Sequence, residues 1–272
     1  MYEPYWHLDR PAFDNDADTR FYFPGRSHQG ALLKLRYAIE NRKGAALLVG
    51  GHGLGKTYLT HVLEHDLEAT YRPVIRLLFP QLSPAEFLAY LASRLGATDT
   101  DTAPLRVDRA LRQLERRLEE LTLQHHHPVL IVDEAHLLEA AHLQTLQLLL
   151  NFEQEPRIAF SLLLVGQPEL LPKIARVSAL HERISVRTTL QPLSETETLA
   201  YVKHRLQVAG VTEPIFADET LQSFWELSHG IPRKINQLCD LSLLVGFADG
   251  LQSLTPIELE AAAGELVGVS CD

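Results

Sequence analysis

One octapeptide, Gly50-Gly51-His52-Gly53-Leu54-Gly55-Lys56-Thr57, narrows the folds open to this chain more than any other stretch. It meets the pattern G-x-x-x-x-G-K-[ST] at every fixed position, which is the spacing of a P-loop. The flanks supply the context that the pattern needs. Ala45-Ala46-Leu47-Leu48-Val49 reads as a buried strand, and Leu59, Val62, Leu63 and Leu67 recur at helical spacing downstream. Strand, glycine loop and helix in that order make a phosphate cradle. Glycine lets backbone N–H groups turn inward around an anion, and the helix N-terminus adds partial positive charge. On this reading residues 50–58, ending at Tyr58, contact a nucleotide. Lys56 reaches its β- and γ-phosphates, and the Thr57 hydroxyl ligates Mg²⁺.

The second chemical landmark is Val129-Leu130-Ile131-Val132-Asp133-Glu134. Four apolar residues form a buried strand, and two carboxylates follow at its C-terminal end. In open α/β sheets that edge is where ligands bind. Asp133 suits a Mg²⁺ ligand, direct or through water, and Glu134 suits a general base that polarises water for attack on a γ-phosphate. A further strand, Arg157 to Val165, ends in Gly166-Gln167-Pro168. Gln167 reads either as a turn residue or as the group that touches the γ-phosphate and holds the attacking water.

The rest of the chain fills in around these motifs. Met1 to Gly25 carries Tyr2, Tyr5, Trp6, Phe13, Phe21, Tyr22 and Phe23, broken by Pro4, Pro11 and Pro24; it reads as an extended arm whose aromatics must pack on the body or beside a ligand. Ser27 reads as the N-cap of a helix through Glu40. Pro73 to Leu78 is a second strand, and Ser83-Pro84-Ala85-Glu86 opens a helix ending near Gly96. A polar spacer, Thr98 to Ala103, leads to a helix over 104–123 with a stripe of Leu111, Leu114, Leu118 and Leu121. Arg106, Arg109, Arg112 and Arg116 share another face. That face is either a phosphate-backbone contact or, preferably, a solvated surface paired with Asp108, Glu115 and Glu119. His125-His126-His127 reads as solvated loop, because no second ligand cluster accompanies it. Ile184 to Leu190 alternates as a fifth strand. After Gln191-Pro192-Leu193 only helical patterns follow: Ser194 to Ala209, Asp218 to Leu227, Pro232 to Ala248 and Pro256 to Leu266.

Composition sets outer limits. With 272 residues, 46% hydrophobic and 22% charged, the chain has material for one large core or two modest ones. A net charge of −10 argues against a global attraction to nucleic acid or anionic membrane. Cys239 and Cys271 are too few for a disulfide framework and suit a reducing cytoplasm. Glu3 and Asp9 interrupt the N-terminus, so no signal peptide is expected, and no apolar run approaches the roughly 18 residues of a membrane span.

P-loop, Asp-Glu strand, polar residue ending the next strand, late arginine and terminal helices together resemble an AAA+ ATPase. More narrowly, the chain resembles the ExeA/GspA-type secretion and type IV pilus assembly ATPases along nearly its whole length. The resemblance rests on Tyr5-Trp6-His7-Leu8 with Pro11-Ala12-Phe13, Asp18-Thr19-Arg20-Phe21-Tyr22, Asp133-Glu134-Ala135-His136, Asn151-Phe152-Glu153, Val165-Gly166-Gln167-Pro168-Glu169-Leu170, Glu182-Arg183-Ile184 and Gly230-Ile231-Pro232-Arg233-Lys234-Ile235-Asn236-Gln237-Leu238-Cys239-Asp240. It implies a five-stranded parallel sheet flanked by helices over 1–190, including the aromatic arm, and a helical lid over 191–272. It implies ATP with Mg²⁺, a lid arginine at Arg233 on the nucleotide phosphates, and an arginine finger acting on a neighbouring subunit. Arg183 is the first choice for the finger, with Arg176 and Arg187 behind it. Phe23 and His28 are expected to line the adenine pocket.

The expected role is a nucleotide-dependent homo-oligomer, cytoplasmic or peripheral at the inner membrane through a partner, that drives assembly of a secretion or pilus machine. Two departures bear on it. Larger secretion members carry a transmembrane helix and a peptidoglycan-binding region after the ATPase part, and the leucine-rich helix here has Gln147 where an arginine is expected. The same subclass includes DNA-binding transposition ATPases of the MuB, TnsC and TniB kind, which gives the alternative of a nucleotide-switched DNA-binding regulator.

Overall fold

The computed structural model describes residues 1–77, 82–96, 107–154, 157–211, 213–217 and 219–268. In chain order its elements are α1 (Arg26–Glu40), β1 (Ala45–Val49), α2 (Lys56–Asp66), β2 (Val74–Leu77), α3 (Pro84–Arg94), α4 (Val107–Leu123), β3 (Val129–Val132) and α5 (Ala140–Leu150). Then come β4 (Ser161–Gly166), α6 (Leu170–Ala175), α7 (Ser178–Arg183), β5 (Ile184–Thr189), α8 (Glu195–Val208), α9 (Thr220–Ser228), α10 (Pro232–Ala248) and α11 (Pro256–Gly268). The chain divides into two compact units. A sheet unit comprises Gly30–Gly51 and Leu59–Leu190; a helical unit comprises Met1–Gln29, His52–Tyr58 and the stretch from Gln191 onward.

Within the sheet unit, the described strands form one sheet in the order β2-β3-β4-β1-β5, and every pairing is parallel. The sequence explains this order of burial. β1 and β3 are unbroken apolar runs, β4 is apolar after Ser161, and all three are buried at every position, as interior strands of a parallel sheet must be. β2 and β5 alternate, and they are the edges. α4 buries Ala110, Leu114, Leu118 and Leu121 on one face. α3 packs on α4 and starts at a complete capping box between Ser83 and Glu86. The core gathers Phe87, Leu91, Leu114, Leu118, Phe160 and Leu164.

The helical unit has its own core of Trp6, Phe13, Phe224, Ile235, Leu238 and Leu243. Here the structure departs from the expected partition. Residues 1–29 were expected with the sheet domain, yet they group with the C-terminal helices. The physical reason lies in their contacts: Trp6 Nε1 donates to the Leu243 carbonyl at 2.9 Å, and Arg205 on α8 donates to the Ala12 carbonyl at 2.6 Å. The Arg205 guanidinium also sits 4.5 Å from the centre of the Phe21 ring.

Local differences have local causes. Ser27 is not an N-cap: α1 starts at Arg26, and the Ser27 hydroxyl accepts from Gln191 N at 2.8 Å instead. The fourth strand starts at Ser161, and Arg157 lies before it, paired with Glu115 and Glu119 on α4. His127 is not solvated: it is buried, with Nε2 2.8 Å from Ser161 Oγ. On α4, Arg112 pairs with Asp108, and Arg116 and Arg117 pair with Glu120, as a solvated face would. Leu78, the Thr98–Ala103 spacer, Arg106, Asp218 and Cys271 lie outside the described residues. Among the described residues no helix is long and apolar enough to cross a membrane.

Candidate functional site

In the sheet unit, parallel pairing brings the C-terminal ends of β1, β4 and β3 to one edge. Gly50-Gly51 leaves β1 there, Asp133-Glu134 leaves β3, and Gln167 leaves β4. Gly50 N donates to the Gly166 carbonyl at 3.2 Å, which ties the start of the glycine loop to the end of β4. Asp133 is 2% exposed; its N–H extends the ladder to the Leu77 carbonyl, and its Oδ1 accepts from Glu134 N at 2.8 Å. Glu134 stands at φ 49°, ψ 33°. That left-handed conformation costs a non-glycine residue on the order of 1–3 kcal/mol and is found preferentially at functional sites.

His136, to which the sequence reading gave no role, joins two predicted site residues. Its Nε2 accepts from the Gln167 amide at 3.1 Å, and its Nδ1 lies 3.3 Å from Glu134 Oε2. The signal was present in Asp133-Glu134-Ala135-His136, but no spacing rule says where the fourth residue points. Among the finger candidates, Arg183 donates to the Leu150 carbonyl at the end of α5, and Arg187 donates to the His181 carbonyl at 2.6 Å. Arg176 is exposed, and its guanidinium makes no hydrogen bond or ion pair among the described residues.

The helical unit carries the remaining candidates. Gly53 and Gly55 have φ of 75° and 83°, so the loop between them and the first turn of α2 has the alternating backbone that aims N–H groups at an anion. A Cβ on Gly53 would lie 2.9 Å from Ile231 Cγ2 and 3.1 Å from Arg233 Cβ. Arg233 N donates to the Gly53 carbonyl at 3.2 Å, and Arg233 Nη1 donates to His52 Nε2 at 2.8 Å. Within this unit, therefore, the predicted lid arginine already sits against residues 52–53 of the glycine motif. Lys56 is buried at the start of α2, and Thr57 beside it is exposed. The Tyr58 hydroxyl donates to the Asp18 carbonyl at 2.9 Å, and burial raises its pKa.

His28 and Phe23 also belong to this unit. His28 Nε2 lies 2.8 Å from the Leu54 carbonyl, which only accepts, so the ring proton is on Nε2. Nδ1 is left as a buried acceptor without a partner. Burial pushes the His28 pKa down, opposed by the Leu54 carbonyl and the Glu197 carboxylate. Phe23 packs edge-on against Tyr201, with ring centres 5.8 Å apart.

Taken residue by residue within each unit, the chemistry suits a magnesium nucleotide. The left-handed glycines and the helix start form an anion cradle. A threonine hydroxyl and a carboxylate are the hard oxygen donors that Mg²⁺ takes. Among the described residues, no group of three or more His, Cys, Asp or Glu side chains is disposed to hold a metal ion.

Comparison with known proteins agrees with the geometry. Residues 39–174 match the model of the AAA domain. General secretion pathway protein A of Aeromonas hydrophila is 33% identical over 99% of this chain and 49% of its own length, so the chain spans about half of that curated relative. Among solved structures, Cdc6p of Pyrobaculum aerophilum superposes with a TM-score of 0.74 at 18% identity, covering 91% of this chain and 70% of that one. The Aeropyrum pernix ORC1 protein, solved in complex with DNA, gives 0.69 at 14% identity, covering 95% and 69%. At those identities the structures speak for the fold, which is the AAA+ P-loop fold with a parallel five-stranded sheet.

Proposed function

This chain belongs to the AAA domain family, and from that premise we propose that it is a Mg²⁺-dependent ATPase whose nucleotide state governs its self-association in the assembly of a secretion or pilus machine. The observation that carries the reading is the convergence of Gly50-Gly51, Asp133-Glu134 and Gln167 on one edge of a parallel sheet. The likeness to a general secretion pathway protein supports the envelope role.

The chemistry assigned is ATP plus water giving ADP plus phosphate. Lys56 and the amides of residues 50–58 hold the phosphates. Thr57 and Asp133 hold Mg²⁺, which when bound neutralises developing charge on the phosphate oxygens. Glu134 accepts the proton of the attacking water as its oxygen bonds to the γ-phosphorus and the bond to the β-phosphate oxygen breaks. Gln167 holds that water. Arg233 donates to phosphate oxygens in exchange for His52. Phe23 and His28 take the adenine, with Nδ1 of His28 offering an acceptor to its amino group. Arg183 is proposed as the finger acting in trans, with its Leu150 contact released on assembly; Arg176, exposed, is the second choice.

The test is calorimetric titration with ATP and magnesium, phosphate release, and size measurement, for the wild type and for Lys56→Ala and Glu134→Gln. The expected result is binding lost in Lys56→Ala, and binding retained with hydrolysis lost and a larger ATP-bound species in Glu134→Gln. No magnesium-dependent adenine nucleotide binding by the wild type refutes the reading. Salt-dependent retention of DNA that requires ATP would select the DNA-binding regulator instead. The pairing of Arg112 and Arg116 within α4 speaks against that face as a phosphate contact.

A further inference from the structure

We infer that His136 is a positioning residue for hydrolysis: its imidazole bridges the Glu134 carboxylate to the Gln167 amide, so water activation depends on it while nucleotide binding does not. The inference rests on the proposed ATPase reading and adds to it a residue that motif spacing leaves without a role.

The backbone around His136 is fixed from two sides. A Cβ on Gly166 would lie 3.0 Å from His136 N, so β4 approaches this turn more closely than a side chain there would ordinarily allow. Lys173 on α6 donates to the carbonyls of His136 and Leu138, the latter at 3.1 Å. The short turn Ala135–Leu137 is therefore held by two neighbouring elements, and the imidazole emerges from a rigid base.

The ring chemistry then follows from its neighbours. The Gln167 amide nitrogen only donates, so Nε2 at 3.1 Å accepts. The neutral ring must carry its proton on Nδ1. That nitrogen is buried, and the Glu134 carboxylate at 3.3 Å is its polar neighbour, off the line of a good hydrogen bond. The contact is loose enough to tighten or release as Glu134 turns, yet it restricts where the carboxylate can go. Gln167, proposed to hold the attacking water, and Glu134, proposed to take its proton, are thus oriented through one imidazole.

The experiment uses the full chain with His136→Ala, His136→Asn and His136→Gln. Asparagine keeps a donor near the Nδ1 position; glutamine keeps the reach toward Gln167 without it. The expected result is a kcat at least tenfold lower in His136→Ala with the ATP dissociation constant within about twofold of wild type. His136→Asn should recover most of kcat, and His136→Gln should not. Independently of turnover, nitrogen NMR of the nucleotide-free wild type should show the Nδ1–H tautomer, and Gln167→Ala should shift it toward Nε2–H. An unchanged kcat in His136→Ala, or equal recovery by both amides, overturns the inference while leaving the ATPase reading intact. An Nε2–H ring in the wild type overturns it too. If the wild type has the expected tautomer but does not hydrolyse ATP, the ATPase reading fails and the bridge stands only as a structural contact.

Discussion

Acid should loosen the sheet unit through one buried histidine. His127 is 1% exposed, its Nε2 meets Ser161 Oγ, and its Nδ1 is buried without a hydrogen-bond partner. A proton added to this ring would have to be carried without water. Burial therefore lowers its pKa from the ordinary 6.5 to about 4, with the Arg42 guanidinium adding to the effect. The sign follows directly. Between pH 4 and 6.5 the unfolded chain binds a proton that the folded ring refuses, so stability is full above pH 6.5 and falls as the pH drops toward 4. The difference of about 2.5 in pKa corresponds to roughly 3 kcal/mol across that window. The perturbation is His127→Gln, which keeps reach toward Ser161 but cannot titrate. Urea unfolding followed by circular dichroism at pH 7, 5.5 and 4 measures both proteins, and carboxylate titration, common to both, cancels in the difference. The variant should be the less stable at pH 7 and should lose about 3 kcal/mol less than wild type on reaching pH 4. A stability gap that stays constant from pH 7 to pH 4 refutes the argument.

Three further outcomes are expected. Trp6→Ala removes a buried indole and its bond to the Leu243 carbonyl; it should cost the helical unit about 3–5 kcal/mol, read by thermal unfolding through the remaining Trp225 fluorescence. Gly53→Ala forces a side chain into φ 75° against Ile231 and Arg233, at about 1–2 kcal/mol for the backbone alone. ATP affinity measured by calorimetry should fall at least tenfold; unchanged affinity would show that this loop tolerates a Cβ. His28→Ala removes the buried Nδ1 acceptor and should narrow the preference for ATP over GTP in competition binding, whereas equal loss for both nucleotides would deny His28 a part in reading the base.

What could be read from sequence was what covalent neighbours decide. The strand–glycine loop–helix order, the apolar strands β1 and β3 and the capping boxes Ser83–Glu86 and Ser194–Glu197 are specified within a few residues and appear where the spacing puts them, whereas the start of β4 shifts from Arg157 to Ser161. The convergence at one sheet edge was also legible, because parallel strands that each end in a polar residue must present those residues together. The partners of the aromatic arm were not legible. An aromatic residue announces that it will be buried but not against what, and Trp6 finds Leu243 across 237 residues of chain.

The histidines make the same point at finer scale. Three adjacent residues of one type in His125-His126-His127 offer no sequence ground for different fates. The left-handed turn at His125, φ 62°, ends the exit from α4, and the chain then enters β3 with His127 already inside. His136 is decided in the same way, by a glycine on β4 and a lysine on α6 that hold its turn. A histidine's chemistry is thus set by groups from other elements that reach its two nitrogens. Spacing along one segment locates such a residue, but its role becomes readable only once both nitrogens have named partners. On that ground, His127 is expected to act as a titrating stability element, and His136 sits with Glu134 and Gln167.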